Sequence, residues 1–551
     1  MLSRSEFIFK CISQEDKLER ARQFNQLLSR QRSGWGLNSS RGCNYIIFKP
    51  FTMIGVTLAL LALLLTIFWF YAKRKQSYWA ARGVKTPPFY PILGHTPRIM
   101  SNKAGRWVFD DEAYSKYGGS NFCGIYEMMN PALLVGNPEI LRQIFVKDFD
   151  HFVDRRSFKA PHKNDEIVNK MLSVENGDVW KNLRAIMTPT FTSGKMRNMF
   201  PLVCAKADAL VSFSLQEATK KPYVDMKMNF GRFTMDTIAS CAFGIECNSL
   251  LDENAIFTKK AEAFFDISGM RMFKFAVFGI VPSLFKWLNI QLNPDEILFF
   301  KEVAEETLSA RRAGEKRGDF LDLLLETQAL DESESSKIAL DDITIIGQSV
   351  LFLVAGFDTT ASTLAFTSYL LAKHHEEQER LRKEIQDIIR EHGEINYQSI
   401  MEAKFLDSCI METLRMYPPL TTTERVCTRD FKLPNSDITV PRGMIVQIPI
   451  WCLHHDEQYW PEPYVYRPDR FMPENKACIR NYTHLPFGAG PRNCIAMRFA
   501  LMEAKVALAK MIIAADISLA PGHEDVKLST GPGILRAVGG VNLVLSPLRE
   551  E

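Results

Sequence analysis

The run Pro486-Phe487-Gly488-Ala489-Gly490-Pro491-Arg492-Asn493-Cys494-Ile495-Ala496 constrains this chain more than any other stretch, because it presents one thiol at the end of a glycine-rich loop. Beyond it, Met497, Phe499, Ala500, Leu501, Ala504, Leu508 and Ile512 recur with helical period, which predicts a buried helix of about 18 residues with no breaker. The thiol then sits at the helix N-terminus. Unpaired amides and the positive end of the helix dipole lower the pKa of a sulfur held there, so the expectation is a thiolate able to bind a metal. A lone cysteine is more often a small buried hydrophobe. A dinucleotide loop is excluded because position 493 is Asn rather than Gly and no downstream acid completes the site. Zinc is excluded as well: Cys478 and Cys494 lack close partner ligands, and His374-His375 and His454-His455 are adjacent pairs that cannot converge on one helix face.

Residues 1–50 are polar and basic and read as a tail of unknown role, with a short helix around Glu15–Arg20 and a loop from Gly34 to Gly42. A mitochondrial presequence is disfavoured by Glu6, Glu15, Asp16 and Glu19. Residues 51–71 form an uncharged, mostly apolar run of roughly 20 residues, the length of a transmembrane anchor. Lys73, Arg74 and Lys75 follow directly, so the positive-inside rule puts the large C-terminal part in the cytosol and Asn38-Ser39-Ser40 on the lumenal side as a glycosylation acceptor. Residues 72–98, basic and then proline-rich through Pro87-Pro88-Phe89-Tyr90-Pro91, read as a stiff connector. From residue 99 to 551 there is no linker or repeat, which predicts one large domain. The net charge of +3 and the lack of an arginine-rich recognition stretch argue against a nucleic-acid partner. The 11 cysteines follow no regular spacing, which reads as reduced thiols.

Within that domain, Asn176–Thr188 predicts a helix closed by Pro189, with Trp180 and Arg184 on one face. The charged stretches at 311–319 and 331–337 read as solvated loops. From Asp342 to about Lys373 the chain predicts a buried helix, apolar nearly all round. Ala355-Gly356-Phe357-Asp358-Thr359-Thr360 breaks its middle with residues that are costly inside a buried helix, and such a violation usually marks a site. Gly356 would leave room beside a flat ligand, and a Thr hydroxyl bonding back to the helix would open it locally. Glu412 and Arg415 lie three apart on a helix that ends at Tyr417-Pro418-Pro419. Strand-like runs flank Pro441-Arg442-Gly443 and Gly539-Gly540, predicting two hairpins and a mainly α fold with a small β subdomain.

Phe487, Gly490, Arg492 and Cys494 fall on a Phe-x-x-Gly-x-Arg-x-Cys pattern, and with it the chain resembles the cytochrome P-450 family from about residue 80 to 551. The resemblance implies the cytochrome P-450 fold behind a single N-terminal transmembrane helix, and haem b with Cys494 as axial thiolate. It makes Asp358 and Thr359 the oxygen-activating pair, Thr359 at the activated oxygen and Asp358 on the proton path. Trp180, Arg184, Arg425 and Arg492 would serve the haem propionates, with Phe487 beside the ring. Glu412, Arg415 and Arg470 would form a buried structural network, and the phenylalanines of residues 255–295, among them Phe264, Phe265, Phe273, Phe275, Phe278 and Phe285, would roof the substrate cavity and touch the bilayer. Ala496 stands where the family usually has glycine.

The strings Trp180 to Lys195, Arg425 to Phe431 and Gly490 to Lys505 are most similar to animal members of the family that oxidise drugs, steroids and other apolar compounds. The implied activity is insertion of one atom of O2 into an apolar substrate at the endoplasmic reticulum membrane, catalytic domain in the cytosol. Without a flavin or NADPH fingerprint in the chain, electrons come from a separate NADPH-dependent flavoprotein reductase, with cytochrome b5 as a second donor. A haem-thiolate isomerase is disfavoured by the intact Asp358-Thr359 pair. A haem-binding sensor is distinguished by its lack of reductase-dependent product.

Overall fold

The apolar N-terminal run is helical in the computed structural model, which describes residues 43–100, 105–252, 256–265, 269–314, 317, 319–333, 340–531 and 533–548. Helix α1 spans Cys43–Gln76 and ends in Lys73, Arg74 and Lys75. From Ile54 to Tyr71 every residue is exposed, and the helix, with a mean hydropathy of 2.3, is long and apolar enough to cross a membrane. The readings made for residues 1–42 lie outside the described residues. The chain divides into two units, Met1–Tyr71 and Ala72–Glu551.

Residues 72–98, expected to be a stiff connector, are packed into the larger unit. Ala72 and Trp79 are buried. The Trp79 indole donates to the Ile125 carbonyl at 3.1 Å, and Gly124 gives its ring room where a Cβ could not stand. Gln76 accepts from the Ile92 amide at 3.0 Å, and His95 bonds Pro87 O at 3.0 Å and the Tyr126 amide at 2.9 Å. Proline spacing reports stiffness; it carries no information about what a stiff segment lies against.

Helix α2 covers Gly177–Met187, α3 Ser193–Lys220, α4 Met226–Ile238, α5 Asp342–Lys373, α6 Lys404–Met416 and α7 Met497–Ala514. Asp341 caps α5 by accepting the Thr344 amide at 2.9 Å. Helix α5 also has membrane-like hydropathy, 1.5, but 67% of that window is buried, so it is the core helix. It packs on α4, α6 and α7 in the main hydrophobic cluster.

The strands are β1 (Phe122–Glu127), β2 (Asn130–Val135), β3 (Val224–Asp225), β4 (Thr423–Val426), β5 (Ile445–Ile448), β6 (Ala515–Leu519) and β7 (Asn542–Pro547). They form two sheets, ordered β1-β2-β5-β4 and β3-β7-β6. Neither predicted hairpin exists as such. The turn at Pro441–Gly443 joins Thr439–Val440, paired with Phe431–Lys432, to β5, paired with β2 and β4. Gly539-Gly540 joins Ala537–Val538, paired with Lys527–Leu528, to β7, paired with β3 and β6. A strand pattern reports an element and is silent about its partner. The charged stretch at 311–319 is corrected too: Arg311 and Asp319 are buried and paired at 2.5 Å. The nine cysteines from Cys123 to Cys494 are all free.

Candidate active site

The cysteine loop is shaped by its glycines. Gly488 and Gly490 have φ of 70° and 71°, and a Cβ on Gly490 would stand 1.9 Å from the Phe145 carbonyl oxygen, so only glycine fits there. The Cys494 amide donates to Phe487 O at 2.8 Å, closing the loop, and α7 begins at Met497 after the cap residue Ala496. Ala496 has φ −93° and ψ 16°, in the bridge region that alanine can adopt and outside the left-handed region that favours glycine. Its side chain shares a cavity with Cys494.

The thiol pKa corrects the expectation of a lowered value. The side chain is exposed to the cavity; the protein atoms packed around the sulfur push its pKa up, and the Ala496 N–H, Arg184 and Arg155 oppose the shift. A metal cation bound at this sulfur would deprotonate the thiol.

Cys494, Phe487 and Phe499 line a cavity of about 340 Å³ together with Ala355, Gly356 and Thr359 of α5. Thr359 Oγ1 donates to Ala355 O at 2.9 Å, yet α5 runs unbroken through the motif, so the expected local opening does not occur. A Cβ on Gly356 would meet Ile238 of α4 at 3.4 Å, so this glycine accommodates helix packing as well as bordering the cavity. Asp358 is absent from the cavity wall. Its carboxylate accepts from Lys227 Nζ at 2.7 Å and from Arg536 Nε at 2.7 Å. Burial pushes its pKa up, but Lys227 and Arg536 together hold it below the usual carboxylate range. Successive residues on a helix point about 100° apart, which is why Thr359 meets the cavity and Asp358 does not.

The basic residues gather as a group. Arg184 donates to Asn493 O at 2.9 Å and Asn493 Oδ1 at 2.8 Å. Arg492 donates to Val153 O at 2.7 Å and lies 4.6 Å above the ring of buried Trp180. Burial and the charges of Arg155 and Arg184 pull its pKa down to about 9. Arg425 is fully buried and does not line the cavity; its Nε and Nη2 have no hydrogen-bond partner among the described residues, and burial with the nearby charges of Arg155 and Arg492 brings its pKa well down. Arg155 lines the cavity with its Nε likewise unpartnered. The sequence reading missed this residue; its only signal is the arginine doublet Arg155-Arg156 following Phe152-Val153-Asp154. Mutually repelling buried guanidinium groups with unmet N–H donors fit a ligand bearing carboxylates, and a thiol facing a helix with a small-residue patch fits a flat metal-bearing ring, so the residues fit haem.

Glu412, Arg415 and Arg470 come together away from the cavity. Arg415 forks onto Glu412 at 2.7 and 2.8 Å with both side chains fully buried, and Arg470 Nε reaches Glu412 at 3.3 Å. The phenylalanine expectation is corrected: Phe264, Phe273, Phe275, Phe278 and Phe285 do not line the cavity, and Phe278 and Phe285 pack with Ala160 and Leu292 in a cluster of their own. Its aromatic wall comes instead from Phe191, Phe320 and Phe352, with Phe320 and Phe352 edge to face at 4.4 Å. A surface group of ligand-type side chains, His375, Glu379 and Asp516, is already bridged by the Arg382 guanidinium.

The family model for cytochrome P-450 matches residues 84–543. The chain is similar to cytochrome P-450 3A11 of Mus musculus, 38% identical over 462 residues, covering 83% of this chain and 90% of the relative. It is 38% identical to cytochrome P-450 3A31 of Mesocricetus auratus over 473 residues, covering 85% and 91%. With cytochrome P-450 3A9 of Rattus norvegicus it shares 36% over 462 residues, covering 83% and 90%. A fold, a thiol-bearing cavity and a match across most of the chain agree: this protein belongs to the cytochrome P-450 family and is a haem-thiolate monooxygenase.

Proposed function

We propose that Cys494 supplies the thiolate ligand of the haem iron and that the enzyme oxidises apolar small molecules of the xenobiotic, steroid or fatty-acid-like class. The observation that carries this reading is one cavity, mostly apolar in its walls, bordered by both Cys494 and Thr359. When bound, haem supplies the redox centre at which O2 is activated. Arg155, Arg184 and Arg492 would hold its carboxylates, with Arg425 adding buried positive charge close to Arg155 and Arg492, and Trp180 is the surface on which Arg492 rests. Phe191, Phe320 and Phe352 exclude water. The Thr359 hydroxyl, donating to Ala355 O, keeps its lone pairs free to accept and hand on a proton at Oγ1. Asp358, ionised while Lys227 and Arg536 hold it, can relay a proton only after it is released from one of them and takes up a proton from water.

Electrons come from a separate NADPH-dependent flavoprotein reductase, with cytochrome b5 as a second donor. The exposed apolar helix before Lys73-Arg74-Lys75 supports a single-pass anchor in the endoplasmic reticulum membrane with the catalytic unit in the cytosol. The test is the reduced carbon-monoxide difference spectrum of wild type beside Cys494→Ser. A thiolate-type band lost in the variant is the expected result; a folded, haem-loaded wild type without that band would overturn the assignment of Cys494.

A further inference from the structure

Gln348 lies on the stripe of α5 that continues through Phe352, Ala355 and Thr359 along the cavity wall, about 16 Å from Thr359 at 1.5 Å rise per residue. Its side chain is fully buried and fully used. Oε1 accepts the Leu172 N–H at 2.8 Å, and Nε2 donates to Lys170 O at 2.7 Å and to Thr344 O at 3.1 Å. Leu172 and Ser173 are themselves cavity wall. They belong to a turn that has no sheet or helix ladder to hold it. The far end of that turn is tied down by Arg492, which donates to Glu175 O and, at 3.0 Å, to Asn176 Oδ1. Beside Gln348, a Cβ on Gly347 would stand 2.9 Å from Ile167 O, so the helix backbone presses against the segment leading into the turn.

Leucine would match the volume here but leave the Leu172 N–H and the Lys170 carbonyl without this partner. A buried amide is retained where its hydrogen bonds hold something, and here they hold two backbone groups of a cavity wall. We propose that Gln348 is a positioning residue for substrate selection. By fixing the Leu172–Ser173 wall to α5 it sets the clearance between that wall and Thr359, and with it which carbon of an apolar substrate is presented for oxidation. The selection part rests on the proposed apolar substrate class; the anchoring part does not.

Two readouts keep these parts separate. In the full-length, haem-loaded protein, hydrogen exchange of peptides covering residues 170–176 should be about tenfold faster in Gln348→Leu than in wild type, the scale expected for losing one or two neutral hydrogen bonds. Gln348→Glu keeps an acceptor for Leu172 and loses the donor to Lys170, so its exchange should fall between the two. With progesterone as apolar probe, Gln348→Leu should change the ratio of oxidised products and raise KM several-fold more than it lowers kcat, while the reduced carbon-monoxide spectrum stays as in wild type. Unchanged exchange would overturn the anchoring, and faster exchange with the wild-type product ratio and KM would overturn the role in selection. If Gln348→Leu fails to load haem, Gln348→Glu carries the same comparison. A wild type that binds and oxidises neither progesterone nor another apolar probe would sink the substrate class, and with it the selection claim, while exchange still decides the anchoring.

Discussion

Lys227 Nζ stands 2.7 Å from Asp358 Oδ1, and this ion pair makes Asp358 a clamp between α4 and the side of α5 turned away from the cavity.

 The pair sets how stability depends on pH. Asp358 has a folded pKa below its unfolded one, so its contribution is present above the unfolded value and is lost as pH falls through the folded value. Asp358→Asn should therefore cost about 1–3 kcal/mol near neutrality, since it leaves Lys227 and Arg536 without their shared partner. Urea unfolding at pH 7 and again well below pH 4 would check this: the gap between wild type and variant should close in acid, and a gap that is the same at both would contradict the ion pair.

Glu412→Ala should cost on the order of 3–5 kcal/mol, because Arg415 is fully buried and would be left uncompensated. Glu412→Gln retains acceptor capacity and should cost less. Thermal melts of the haem-loaded proteins rank the three, and equal midpoints would count against the network.

Gly490→Ala should abolish the thiolate-type carbon-monoxide band even if the protein folds. The new methyl would collide with the Phe145 carbonyl, and its residue would have to hold φ 71° at a cost of about 1–2 kcal/mol. Gly531→Ala, open on every side, is the control and should keep the band.

Thr359→Ala should retain haem and the thiolate band but divert electrons to hydrogen peroxide. Losing one positioned proton donor predicts a fall of about tenfold or more in product formed per NADPH consumed. Coupling equal to wild type would remove Thr359 from the proposed proton transfer.

Arg155→Leu should speed haem transfer to apomyoglobin by about tenfold, the effect of one lost charged hydrogen bond. A transfer rate equal to wild type would mean that the unpartnered Nε does not face the haem carboxylates.

Local patterns in the sequence determined the elements and the chemistry they carry. The run from Asp342 to Lys373 is legible as a helix because its apolar residues and its cap are local features, and it is helix α5 with those bounds. The loop before Cys494 is legible because glycines at positive φ and a thiol ahead of an apolar helix are local as well. Tertiary structure alone decided the partners. Asp358 looks like a cavity residue in the string Asp358-Thr359 until Lys227 and Arg536, distant in sequence, claim its carboxylate. The strands after Gly443 and Gly540 were visible, but their pairing was not, since alternation repeats in any register. Arg155, Gln348 and the rise in the Cys494 pKa were hidden for the same reason: burial and long-range hydrogen bonds depend on which segments meet, and no local pattern encodes that meeting.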